Sequence, residues 1–381
     1  MAPRNVVHPR PQESLPVNPE ADAMVEEFEQ SLRQKPRRWL VTGAAGFIGS
    51  HLVERLLELE QTVLGLDNFS TGKRENLAQV KKAVSAARWR KFRLLEGDIR
   101  SRATCKEACT GAEYVLHQAA LGSVPASLDD PLGAHDTNVT GFMNVLQAAR
   151  EAEVRRMVYA GSSAVYGDHP GVPSLEDQTG QALSPYAVTK HVNEQYAAIF
   201  ARCYGFQSIG LRYFNVFGPR QDPRGAYLAV IPAWIAAMIR GEPVYINGDG
   251  KTTRDFCYVG NVVRANLLAA TTSRRNSLNQ VYNIAAGEAT SLNLLFELLR
   301  AQLAPRFPRL AALKPVHREF RPGDIAFSVG SFDKAARLLG YQPRWRIDEG
   351  LARTVDWYVE QLAPAPRGSA GDSALRSAPA F

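Results

Sequence analysis

RWLVTGAAGFIGSHLVERLLEL, residues 38–59, changes character halfway along. RWLVTGA (38–44) is an apolar run of strand length. FIGSHLVERLLEL (47–59) has its leucines and valine at helical spacing. Between the two, Gly43, Gly46 and Gly49 make G-x-x-G-x-x-G. Glycine allows a tight turn and lets a pyrophosphate approach the helix start, where free N–H groups and the helix dipole favour anions. A glycine motif alone is weak, but this one lies after the first strand and before a helix, the context a dinucleotide site requires. The next strand, TVLGLD (62–67), ends in Asp67, placed to bind the adenosine ribose hydroxyls. An acid there repels a 2′-phosphate, so NAD is favoured over NADP, although Lys73 and Arg74 nearby keep NADP open.

Outward from this unit the alternation continues. FRLLEGD (92–98), EYVLHQAA (113–120), RMVYAGS (156–162) and SIGLRYF (208–214) read as strands, with the helix TNVTGFMNVLQAAREA (137–152) among them. Apolar strands alternating with helices predict a parallel sheet buried on both faces. The expected fold class is α/β: a Rossmann-type doubly wound parallel sheet with a smaller C-terminal α/β substrate lobe. Asp98, ending the third strand, could meet the adenine edge, with Ile99 beside it. Gln118, Ala119 and Ala120 end the fourth strand, and the two alanines are small enough for the cofactor backbone to pass. The chain divides into an N-terminal extension (1–35), a mainly NAD-binding part (36–220), a smaller substrate-side part with elements returning to the sheet (221–361), and an Ala/Pro/Gly/Ser-rich tail expected to be disordered (362–381). A short amphipathic helix is expected through AMVEEFEQSLRQ, before Pro36.

The composition, with 45% hydrophobic and 22% charged residues in 381, is that of a globular protein. No apolar run is long enough to cross a bilayer, and the N-terminus lacks a signal-peptide core. The expectation is a cytoplasmic protein with no membrane insertion. Cys105, Cys109, Cys203 and Cys257 show no C-x-x-C, and the seven histidines show no H-x-x-x-H. Free thiols and no structural metal are expected. The net charge of +7 raises the question of nucleic acid, with KKAVSAARWRKFR (81–93) as the densest basic stretch. No nucleic-acid motif accompanies it, and a solvated helix leading into a strand is the better reading. A basic excess also suits an enzyme drawing in a diphosphate-bearing substrate.

SPYAVTK (184–190) places Tyr186 and Lys190 one helical turn apart, just after a Ser-Pro break. Taken alone, such a pair is more often an ordinary helix surface than a catalytic device. The order of motifs changes that. TGAAGFIG, D67-N-F-S-T-G with Asn68 and Gly72, HQAA, S162-S-A-V-Y-G, Y186-A-V-T-K190 and LRYFNVFGPR with Tyr213 together resemble the extended short-chain dehydrogenase/reductase family. Within it, HQAALGSVP, NVFGPRQDP and NGDGKTTRDFCYV are similar to nucleotide-sugar 4-epimerases, most of all to bacterial UDP-N-acetylglucosamine 4-epimerases. The resemblance spans about residues 36–360.

The resemblance implies roles. Phe47 and Ile48 join the three glycines as cofactor contacts. Tyr186 is the catalytic tyrosine and Lys190 its partner, which would also bind the nicotinamide ribose. A free phenol ionises near pH 10, so the lysine and a positive nicotinamide ring are expected to lower it by about three units, roughly 4 kcal/mol of differential stabilisation. Ser162 would hold the sugar 4-hydroxyl, with Ser163 beside it. Where the family's 4,6-dehydratases carry Asp-Glu, this chain has Ser163-Ala164, so dehydration is not expected. Asn215, Ala229, Val230, Tyr245 and Asn247 resemble sugar and uridine contacts. Arg254 and Arg321 resemble a diphosphate clamp, and Asp324 the acid on the uridine ribose. Ser328 stands where a bulky residue restricts the family to UDP-glucose and UDP-galactose. Its small size implies room for a 2-N-acetyl group, and Gly122, Ser123 and Gln221 fall in stretches typical of the N-acetyl group. The expected reaction is 4-epimerisation of UDP-GlcNAc and UDP-GalNAc through a 4-keto sugar and bound NAD. The glucose or uronic acid forms stay open, as do a decarboxylase or dehydrogenase on the same scaffold and a non-catalytic NAD-binding regulator. The family also implies a homodimer, formed by the helix near 135–150 and the one carrying Tyr186.

Overall fold

A computed structural model describes residues 19–223, 229–320 and 327–362. Its first strands are β1 (Arg38–Thr42), β2 (Thr62–Asp67), β3 (Phe92–Glu96), β4 (Tyr114–His117), β5 (Arg156–Ser162) and β6 (Ser208–Tyr213). Then come β7 (Asn215–Phe217), β8 (Tyr245–Asn247), β9 (Thr253–Arg254), β10 (Phe256–Tyr258), β11 (Val281–Ile284), β12 (Thr290–Ser291), β13 (Val316–Arg318) and β14 (Phe327–Ser328). Seven strands form one parallel sheet in the order β11-β6-β5-β4-β1-β2-β3. The order reverses between β1 and β4, which opens a crevice at the C-terminal ends of the strands, where open α/β sheets bind ligands.

Both faces of the sheet are covered, as the apolar strands require. One face packs the helices Phe47–Glu58 and Val259–Thr271 through Leu52, Val53, Leu56, Val262 and Leu267. The other packs Arg102–Cys109, Gly141–Glu151 and Pro185–Tyr204 through Cys105, Phe142, Val145, Leu146 and Phe200. A separate core centres on the helices Val230–Arg240, Leu292–Leu303 and Ile347–Leu362. With the short ladders β10-β7, β12-β9-β14 and β13-β8 it makes the smaller C-terminal part. β11 pairs with β6 in the main sheet, and the helix Val259–Thr271 packs on it.

The N-terminal helix is longer than expected, Pro19–Gln34, and docks. Leu32 is buried, Gln61 donates Nε2 to its carbonyl at 2.9 Å, and Glu29 pairs with Arg55. The helix expected over 137–152 begins with a π-helical turn, Asp136–Thr140, before Gly141–Glu151. The basic 81–93 stretch is a helix end, a short helical turn and the start of β3, and Arg88 and Lys91 both pair with Glu60 at 2.7 Å. No helix among the described residues is long and apolar enough to cross a membrane, and none of them forms a cluster of three or more potential metal ligands. The four cysteines are free. The tail expected to be disordered lies, from residue 363 on, outside the described residues.

Candidate active site

A cavity of about 1430 Å³ follows the C-terminal ends of the parallel strands. Gly43, Gly46, Phe47, Ile48, Gly49, Asp67, Asn68, Ile99, Gln118, Ala119, Ala120, Tyr186, Lys190 and Tyr213 all line it. The glycine turn is built for close approach. Gly43 has φ +68°, and a Cβ on it would lie 2.8 Å from the Ala119 nitrogen. A Cβ on Gly49 would lie 1.9 Å from the Gly43 carbonyl oxygen. Gly46 caps the helix Phe47–Glu58 with no side-chain acceptor, so its first N–H groups point at the cavity end free for an anion. Asp67 accepts from Ala45 N and Phe69 N, each at 2.8 Å, and keeps further lone pairs for ribose hydroxyls. Gly72 packs behind this carboxylate, where a Cβ would come within 2.7 Å of it. Lys73 pairs with Asp222; Arg74 pairs with Glu96 at 2.6 Å and lies over the Phe69 ring. Both cations that kept a 2′-phosphate open are thus engaged, and the residues present fit NAD. Asp98 stands behind the wall, bonded by Arg100 and Asn68 and held by Arg100 down at about 2.

Ser162 ends β5, opposite Tyr213 in the ladder, and its Oγ accepts from Ala164 N at 3.1 Å. Ser184 caps the helix Pro185–Tyr204, with Pro185 in its first turn, which presents Tyr186 and Lys190 to the cavity. Ser162 lies close enough to the Tyr186 phenol to favour its ionised form. Lys190 donates to the Ala160 carbonyl at 2.9 Å, and its Nζ lies 5.8 Å from the Tyr186 ring centroid. Burial raises the phenol of Tyr186, with only Ser162 opposing it. The Lys190 ammonium is turned to a backbone carbonyl and is itself pushed down to about 8 by burial. The protein alone therefore holds Tyr186 protonated, and lowering it requires charge brought in with the bound cofactor. His117, buried below, is pushed down to about 3 by burial and then by Lys190, so it is neutral.

On the substrate side, Gly122, Ser123, Ser162, Ser163, Asn215, Gln221, Ala229, Arg254 and Ser328 line the same cavity. Ser328 and Arg254 are register partners in the β14-β9 ladder. The Gln221 Oε1 is buried with no hydrogen-bond partner, as an acceptor waiting for a ligand would be. Val230 begins a helix directly after Ala229. Tyr245 and Asn247 do not reach the cavity wall. β8 pairs with β13, and the Arg318 guanidinium covers the Tyr245 ring at 3.2 Å. Arg321 and Asp324 lie outside the described residues.

Sequence reasoning missed four supporting residues. Asn138, on the π-helical turn, bonds Leu121 N and O and Thr189 Oγ1, joining the loop after β4 to the Tyr186 helix. Asn266, Gln118 and Tyr213 close a three-membered ring of side-chain hydrogen bonds. Asp255, fully buried, accepts from Ala286, Gly287 and Gly330 N–H groups. Asp222 reaches across to Lys73. Among these, Asp255 and Asp222 had a local signal, through their neighbours Arg254 and Gln221.

A doubly wound sheet that presents a glycine-cradled helix start and a Ser–Tyr–Lys set to one cavity defines the short-chain dehydrogenase/reductase class of dinucleotide-binding proteins. The comparisons narrow this. The chain belongs to the NAD dependent epimerase/dehydratase family, whose model matches residues 39–285. It is 36% identical to a putative UDP-glucose 4-epimerase of Methanocaldococcus jannaschii over 319 residues, covering 84% of this chain and 97% of that protein. It is similar to the crystal structure of Thermotoga maritima UDP-glucose 4-epimerase with UDP-glucose (TM-score 0.77, 36% identity, 85% of this chain and 99% of that one). It is equally similar to the UDP-N-acetylglucosamine 4-epimerase of Methanobrevibacter ruminantium in complex with UDP-N-acetylmuramic acid (TM-score 0.78, 34% identity, 86% and 99%). These relatives do not single out the bacterial N-acetyl enzymes that the sequence motifs resemble most.

Proposed function

We propose that this chain is a nucleotide-sugar 4-epimerase that interconverts UDP-GlcNAc and UDP-GalNAc, with the UDP-glucose pair as a further substrate. The observation that carries the reading is convergence: Ser162, Tyr186 and Lys190 share one cavity with Arg254 and the small Ser328. When bound, NAD supplies a reversible hydride acceptor for C4. Ser162 orients the 4-hydroxyl, and Tyr186 takes its proton and later returns it. Lys190 provides the fixed positive charge beside the phenol. Arg254 grips the diphosphate through the geometry that suits guanidinium to phosphate. A clamp on the nucleotide and few fixed contacts on the sugar allow the oxidised sugar to turn and present its other face. Ser328 leaves space beside Arg254 for an N-acetyl group, and a roomier pocket rejects the smaller glucose only weakly.

The test is proton NMR of UDP-GlcNAc incubated with purified protein and no added NAD. Appearance of the UDP-GalNAc anomeric signal supports both the reaction and a retained cofactor. No change with UDP-GlcNAc, UDP-glucose or UDP-glucuronate, with NAD present, overturns the reading. Accumulating NADH or released carbon dioxide would instead identify a dehydrogenase or decarboxylase on this scaffold.

A further inference from the structure

Tyr186, Lys190 and Glu194 stand at successive i, i+4 positions of the helix Pro185–Tyr204, so they form one stripe facing the sheet. Glu194 is buried, at 9% exposure, and so is Lys190, at 3%. From β6, Arg212 grips Glu194 with a two-pronged bond, Nε to Oε1 at 2.8 Å and Nη2 to Oε2 at 2.7 Å. Arg212 is fixed in turn: Nη1 donates to the Glu176 carbonyl at 3.0 Å, and its guanidinium lies 5.0 Å from the Tyr166 ring centroid. We propose that Glu194, held in place by Arg212, is a positioning residue for Lys190, supplying the buried counter-charge that keeps its ammonium charged at the cavity wall. The inference rests on the reading of Lys190 as the partner of Tyr186.

A buried ammonium persists only with compensating charge and hydrogen bonds. The groups around Lys190 offer little else. On β4, His117 is neutral. On β5, Ala160 gives one carbonyl, and burial keeps the Tyr159 phenol protonated. On its own helix, Tyr186 is protonated. Beyond Arg212, the Glu176 carboxylate is occupied by Asn283 N at 2.9 Å, and Lys334 stands against Tyr282. The burial that pushes the Lys190 amine down to about 8 is opposed by Glu194. Without that carboxylate, nothing would oppose the burial of the ammonium, and Lys190 would shed its proton at lower pH.

The experiment is the pH dependence of kcat for 4-epimerisation of UDP-GlcNAc, or of UDP-glucose if that alone turns over. It compares the parent chain with Glu194→Gln, Glu194→Asp and Lys190→Met, with folding checked by thermal melting. The expected result is that the alkaline limb of Glu194→Gln moves down by about one pH unit, a tenfold loss at any pH on the limb. Glu194→Asp keeps the charge and should lie between it and the parent. If Glu194→Gln does not fold, Glu194→Asp decides by the same displacement. A uniform loss at all pH values with the limb unmoved, while Lys190→Met is inactive, overturns the positioning role and leaves the reading of Lys190 intact. Full turnover by Lys190→Met overturns both.

Discussion

A phenol kept protonated by burial becomes a base only when positive charge is added next to it, and Tyr186 sits where that addition can happen. Replacing Tyr186 with Phe removes the proton carrier and leaves the cavity wall in place. The expected loss in kcat is about 10²- to 10⁴-fold, with the NAD released on denaturation unchanged; NMR turnover and nucleotide quantification measure the two. Ser328 tests specificity. A Ser328→Tyr variant should lose UDP-GlcNAc turnover by at least about tenfold while keeping UDP-glucose turnover, because steric exclusion acts on the larger sugar alone. Equal losses on both sugars would remove Ser328 from the specificity site. These residues were legible because each lies in a short run whose neighbours are also diagnostic. Tyr245 and Asn247 were read in the same manner; they stand on β8, which pairs with β13, and are not among the residues that line the cavity.

The strand β1, the glycine turn and the helix Phe47–Glu58 form a unit in which Gly49 cannot carry a side chain. A Gly49→Ala methyl would have to displace backbone atoms of Gly43, at 1.9 and 2.7 Å. We expect a stability loss of about 1–3 kcal/mol or more and loss of copurifying NAD, read by melting temperature and by absorbance of the released nucleotide. Asp255 ties β9 to the segments at Ala286–Gly287 and Gly330. Burial pushes its carboxyl up to about 7, and the three backbone donors pull it back. The folded chain therefore holds a proton that the unfolded chain has already lost, from the ordinary carboxylate range up to about pH 7. Its contribution to stability falls as pH rises through that window. Denaturant melts at several pH values should show this slope reduced in Asp255→Asn. The variant should also lose about 1–3 kcal/mol overall, since an amide NH₂ would face a backbone N–H. Within elements, strand and helix periods were clear in the sequence, but the π-helical turn at Asp136–Thr140 was not. Its role comes from Asn138 reaching Leu121 and Thr189, across 17 and 51 residues of chain.

At the scale of the molecule, an apolar face remains open on the same helix that carries Tyr186. Val188, Tyr196 and Ile199 are exposed along it, and Leu132 on the neighbouring helical segment is 77% exposed. Side chains of this kind in one patch mark an interaction surface. The expected partner is a second copy, meeting through the two helices the family resemblance implied. Ile199→Asp should shift the protein from dimer to monomer in sedimentation equilibrium; a parent chain that sediments as a monomer would dismiss the expectation. Dimerisation through this face would bear directly on the Tyr186–Lys190–Glu194 stripe, which faces inward from the same helix.

By itself the sequence determined the doubly wound sheet and the glycine turn, and it singled out Asp67, Ser162, Tyr186 and Lys190 as candidate site residues. Each is encoded locally, by a change of hydrophobic period or by residues within a few positions of one another. Tertiary structure alone decided how the supporting charges are shared. Glu194 meets Arg212 across 18 residues, Lys73 meets Asp222 from a distant part of the chain, and Gln118, Tyr213 and Asn266 close a ring across 148. Such pairings leave no periodic trace, because a buried charge or amide selects its partner by proximity in the folded chain and by the cost of remaining unpaired.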